Sequence, residues 1–162
     1  ASRASRAKMS SGMTRRWKEA WASVHYDGSV SIATAIGAHR SGAGTYLPGS
    51  QVRSGAIECA IADLMGLVRA VGQRQALGEY EVAVGVEWSG TEPLLVVTVD
   101  QHGFAFDGHS IPLPRYTRVA ATVRADVGDH QFLDQVRDLA LDCVNQGGVS
   151  TLHLIHIACD EP

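Results

Sequence analysis

Between Gln51 and Trp88 the apolar period of the chain switches from 3.6 residues to 2. From about Gln51 to Gln75, Ile57, Ile61, Leu64, Val68 and Val71 share one stripe while Glu58, Asp63 and Arg69 fall off it, the spacing of one long amphipathic helix. Ser50 reads as its N-cap and Leu77-Gly78 as its stop. Tyr80 to Trp88 then alternates strictly, with Tyr80, Val82, Val84, Val86 and Trp88 on one face, so it is a strand packed on one side. A helix stripe and a one-sided strand so close in sequence must cover each other, which points to an α+β fold.

The other segments extend this plan. Trp17 to Tyr26 alternates imperfectly and Val30 to Ile36 alternates well, and Asp27-Gly28 between them predicts a hairpin with a type I′ turn. The run from Gly37 to Gly49 concentrates Gly, Ser and Pro and reads as a loop. Leu94 to Asp100 predicts a deeply buried strand, with a turn at His102-Gly103 leading into Phe104 to Asp107, and Arg118 to Asp126 predicts another strand. Asp129 opens a second helix that runs to about Asn145, stopped by Asn145-Gln146-Gly147-Gly148, and Val149 to Ile157 reads as a last strand. The expected order is ββ-α-ββ(β)-β-α-β: an α+β sandwich with a mostly antiparallel sheet and two helices packed on it.

Charge divides the chain at the start of this body. Residues 1–18 carry six Lys or Arg and no acid, whereas residues 19–162 carry 8 basic and 17 acidic side chains, a net −9. Residues 1–16 therefore read as a flexible basic linker or tail, and residues 17–159 as a single α+β domain. An acidic body repels phosphate, so contact with nucleic acid is expected only indirectly or through the tail, with Arg15, Arg16 and Lys18 nearest the body. No run of 18 apolar residues exists, so no membrane contact is expected. Three cysteines without a C-x-x-C pair point to a reducing, cytoplasmic setting, with Cys59 and Cys143 in apolar runs that suit buried thiols.

The chemistry-bearing residues do not gather into a motif. Asp100 and His102 form one Asp-x-His element and Asp107 and His109 another, but the hairpin between them sets the two roughly 16 Å apart, too far to share an ion. His153 and His156 have an odd separation and fall on opposite strand faces. His25 reads as a polar member of a sheet face. His39 and Ser41 give only a weak case for a hydrolase, and no phosphate-cradling glycine loop is present. Neither a metal nor a cofactor is expected.

Two surfaces stand out for binding. Trp17 and Trp21 share a strand face with Glu19, Ser23 and His25, and if that face is open they and Trp88 suit an interface with another domain or a second copy. The prolines of Ile111-Pro112-Leu113-Pro114-Arg115-Tyr116 hold an extended segment in which Arg115 and Tyr116 lie close together, able to grip an anion or stack a base. His39 and Arg40 on the loop and Ser89 at its turn complete a candidate ligand set with that pair.

The segments WKEAWASVHYDGSVSIATAIGAHR, VRSGAIECAIADLMGLVRA, VGVEWSGTEPLLVVTVD, SIPLPRYTRV and DLALDCVNQGGVS resemble the C-terminal part of bacterial proteins that begin with a Schlafen/AlbA-like domain, a DNA-binding or divergent ATP-binding type. The resemblance spans about Arg16 to Ile157 and implies an upstream domain joined through residues 1–15; it brings no catalytic residue onto this chain. The expected role is a non-catalytic accessory domain that dimerises, or senses a partner or ligand, for that upstream nucleic-acid-associated domain. The alternative is a small-molecule or nucleotide-binding module whose pocket is closed by loop 37–50 and lined by Ser89, Arg115 and Tyr116.

Overall fold

A computed structural model describes residues 20–36, 49–89, 91–99, 105–106 and 110–155. Over these residues the chain is an α+β fold in the order β1 (Ala20–Val24), β2 (Val30–Thr34), β3 (Gln51–Arg53), α1 (Ser54–Gln75), β4 (Glu79–Val84), β5 (Leu95–Val99), β6 (Ala105–Phe106), β7 (Val119–Arg124) and α2 (Asp129–Asn145). The strands form three small sheets rather than one: β1-β2, β3-β5-β6 and β4-β7. All pairings are antiparallel except β3 with β5.

The long helix forms where its spacing places it, with a shifted stripe. Ile57, Ile61, Met65 and Val68 are at most 2% exposed, so Met65 rather than Leu64 fills the third position. On α2, Phe132, Val136, Leu139, Ala140 and Cys143 face the same core. Val52, Val96, Val82 and Val123 close it from the strands. At about 25 cal/mol per Å² of apolar surface removed from water, this shared core is the main force holding helices and strands together. Arg69 of α1 lies 4.6 Å over the Phe132 ring and reaches the Asp129 carboxylate at 2.6 Å, tying the helices at one end.

Four local expectations are corrected. Arg53, not Ser50, is the N-cap of α1, because residues 51–53 pair with β5 as a strand. The hairpin turn is not type I′: only Gly28 has positive φ, at 83°, and its N–H donates to the His25 carbonyl at 3.1 Å. That is a type I turn followed by a left-handed glycine, since Tyr26 and Asp27 keep negative φ while the Asp27 carboxylate accepts from Ser29 N–H at 2.9 Å. The described part of the predicted last strand, Val149–Ile155, forms no strand and lies as a strap against α1. Glu58 leaves the solvent face expected of it and is 0% exposed.

Side-chain amides complete the ladder where strands stop. Gln135 of α2 brackets the backbone of Arg124, accepting from its N–H at 2.7 Å and donating to its carbonyl at 3.1 Å. Gln146 does the same to Thr117, both at 2.9 Å. The proline-flanked Leu113 exchanges two backbone hydrogen bonds with Leu94 at 2.8 and 2.9 Å, so the Pro112–Pro114 segment is pinned rather than loose. Gly147 has no alternative residue: a Cβ there would stand 2.5 Å from the Val96 side chain.

Candidate functional site

Because β3 runs parallel to β5, both strands end at the same edge, and α1 begins directly from that end of β3. Openings of this kind, at the carboxyl ends of parallel strands and the head of a helix, are where ligands are commonly received. Here the opening is a cleft of about 510 Å³. Ile36 beyond β2, Ala56 and Ala60 of α1, Val99 of β5 and Leu154 of the strap supply apolar wall, while Arg53, Ser54, Cys59, Asp63 and His153 supply polar groups. The first-turn N–H groups of α1 meet no side-chain cap, and no acidic residue stands in that turn.

Glu58 builds one wall of this cleft. Its carboxylate, wholly buried, accepts the backbone N–H groups of His153 at 3.0 and 3.1 Å, Leu154 at 2.7 Å and Ile155 at 3.2 Å. Consecutive N–H groups from an irregular segment have no ladder to join, and the two carboxylate oxygens satisfy all three. The strap thereby places His153 and Leu154 on the cleft wall, with Leu154 Cδ1 3.0 Å from where a Cβ on Gly55 would stand. Cys59, expected to be a buried thiol, is exposed on the cleft instead, because it lies one residue beyond Glu58 and faces away from the core. No hydrogen bond joins the Cys59, Asp63 and His153 side chains to one another among the described residues, and no group of three metal-ligating side chains forms there.

A second cavity of about 570 Å³ lies between β2, α1 and the end of β4, walled by Ile32, Ile36, Ile61, Leu64, Val84 and Val86. Tyr116 reaches it, but not as a surface grip. The ring is 7% exposed and its hydroxyl donates to the Cys143 carbonyl at 2.9 Å. Burial pushes the Tyr116 phenol well above its ordinary range and raises the Cys143 thiol to about 11, so both stay neutral.

The residues singled out from sequence are dispersed. Arg115 is exposed and Tyr116 buried, so neighbouring positions do not share a surface; Arg118, not Arg115, borders the second cavity. Ser89 is exposed in the turn after β4 and borders neither cavity. Trp88 is half-buried against the core and its indole N–H donates to the Glu92 carbonyl at 3.0 Å, which makes it a packing residue. Trp21 is 43% exposed. Arg15, Arg16, Trp17, Lys18, His39 and Arg40 lie outside the described residues, as do the two Asp-x-His elements and His156. No helix among the described residues is long and apolar enough to cross a membrane.

The cleft itself was missed in sequence because Arg53, Cys59 and His153 are brought together only by the parallel pairing and by Glu58. A buried glutamate inside an apolar helical run was the one available signal. Comparison with protein-family models, with curated proteins and with solved structures gives no match.

Proposed function

We propose that this chain is a non-catalytic accessory domain that senses a small ligand in the cleft at the head of α1. The observation that carries the reading is the cleft, whose volume of about 510 Å³ falls within the range of small-molecule sites, with apolar wall and a few polar groups along it. Sensing suits the strap, since a ligand touching His153 or Leu154 presses on the segment whose three backbone N–H groups Glu58 holds. The Schlafen/AlbA-like resemblance supports the setting: an upstream nucleic-acid-associated domain in the same polypeptide, served by this one in the cytoplasm without metal or cofactor. The tail residues Arg15, Arg16 and Lys18 are then the nucleic-acid contact.

The test is a fluorescence titration with 1-anilinonaphthalene-8-sulfonate, an aromatic anion that reports on apolar clefts. We expect saturable binding at one site per chain. Cys59→Phe, which fills the cleft from an exposed position, should weaken it at least tenfold, and Gly85→Leu, directed at the second cavity, should leave it unchanged. Binding that never saturates, or that survives Cys59→Phe, would refute the assignment.

A further inference from the structure

Among the described residues no strand pairs with the outer edge of β1, and the backbone of the hairpin shows which atoms that edge offers. His25 N–H donates to the Ser29 carbonyl at 2.9 Å, which fixes the ladder so that Trp21 and Ser23 turn their backbone groups toward β2. Ala20, Ala22 and Val24 therefore turn theirs outward, where no described strand meets them. β2 packs on α1 and β1 lies beyond it. Trp21 is 43% exposed, Val24 50% and Tyr26 92%. Neither strand carries a charged residue or a proline, the devices that usually guard an open edge.

Charge and register both suit a second copy of this chain. Residues 19–162 carry a net −9, yet residues 20–36 contain a single charged side chain, Asp27. With the six positive charges of residues 1–18 the whole chain is only −3, and the hairpin itself brings almost no like charge to a pairing with its own copy. The strand is also self-complementary. Set antiparallel about a two-fold axis at Ala22, Ala20 stands opposite the partner's Val24 and Trp21 opposite the partner's Ser23. The outward groups of Ala20, Ala22 and Val24 then form three hydrogen-bonded pairs, about six backbone hydrogen bonds in all. A large indole meets a small serine on each side of the axis, and the two Trp21 rings take diagonal positions within aromatic reach.

We propose that β1 pairs with β1 of a second copy in this register, joining two hairpins into one four-stranded sheet across a two-fold axis. The two-stranded sheet of one chain is marginal alone, and four strands remove its open edge at the interface. This pairing is independent of the cleft: Cys59→Phe should leave it unchanged.

Light scattering of the full chain over a concentration series tests it. The mass should rise with concentration from 17.3 kDa toward twice that value and stop there. Ala22→Pro removes an outward N–H that β2 does not use, and should hold the mass at 17.3 kDa to concentrations at least tenfold higher. Ala22→Lys keeps the strand intact and sets two like-charged side chains directly opposite each other across the axis, with the same expected result; far-UV circular dichroism verifies that each variant is folded. A wild-type mass fixed at 17.3 kDa, a mass that climbs past the dimer, or a dimer that survives both variants would overturn the proposal.

Discussion

The helical body and the β1–β2 hairpin solve the same problem in opposite ways. In the body, Met65, Leu139 and Val96 are at most 2% exposed, and backbone groups outside the ladders are satisfied by Gln135, Gln146 and Glu58. In the hairpin, Tyr26 is 92% exposed and Val24 50%, and the outer backbone groups of β1 face no described strand. Apolar side chains are exposed in both regions, Ile111 and Leu154 of the body among them, but the body also has a closed core, whereas the hairpin only lends Val30 and Ile36 to it.

That contrast is most directly broken by truncating each side in turn. Met65→Ala should cost about 2–5 kcal/mol, through lost burial and the cavity left behind, and lower the melting temperature accordingly. Trp21→Ser, measured at dilution, should move it by no more than about 0.5 kcal/mol. Equal losses in chemical denaturation would show that the hairpin is part of the core.

The next effect separates the strap from the core it lies on. Glu58→Gln keeps the shape but removes the charge from three backbone hydrogen bonds, a cost of about 1.5–3 kcal/mol. Hydrogen exchange at His153, Leu154 and Ile155 should quicken about tenfold or more, while amides of α2 change only with global stability. Uniform quickening across the chain would make Glu58 an ordinary core residue rather than the holder of the strap.

The smallest effect sharpens the comparison through pH. Cys143 sits in the body with its thiol raised by burial from 9.0 to about 11. Below pH 9 the thiol is neutral in both states and its contribution is fully present; as pH rises toward 11 the unfolded thiol ionises first and stability falls. Tyr116, also raised by burial, acts in the same direction at higher pH. Denaturant midpoints taken from pH 8 to 11 should decline, and less steeply in Cys143→Ala. An identical slope in that variant would assign the decline to other groups.

Sequence periodicity was a good guide where one element's own pattern decides its structure. Both helices, the first hairpin and the strands of the β4–β7 pair could be read from Ile57, Ile61, Phe132, Val136 and the strict alternation after Tyr80. It failed where structure depends on a distant partner. Gln51–Arg53 is three residues long, too short for a period, and becomes a strand only because β5 lies alongside. Val149–Ile155 has strand composition, but its N–H groups meet a carboxylate instead of a ladder. The site followed the same rule: Arg115 and Tyr116 are neighbours in sequence and divided by burial, whereas Arg53, Cys59 and His153 are far apart in sequence and line one cleft.

The grip of Glu58 on the strap also orders events in time. Its donors begin at His153, 95 residues further along the chain, so a ribosome delivers the acceptor long before the groups that satisfy it. Closing so long a loop comes late in folding, after the local helix contacts have formed. Until then the carboxylate of α1 lacks the three backbone N–H groups that offset its burial. The carboxylate of α1 is therefore satisfied only once residues 153–155, nearly the last described, have come back to it.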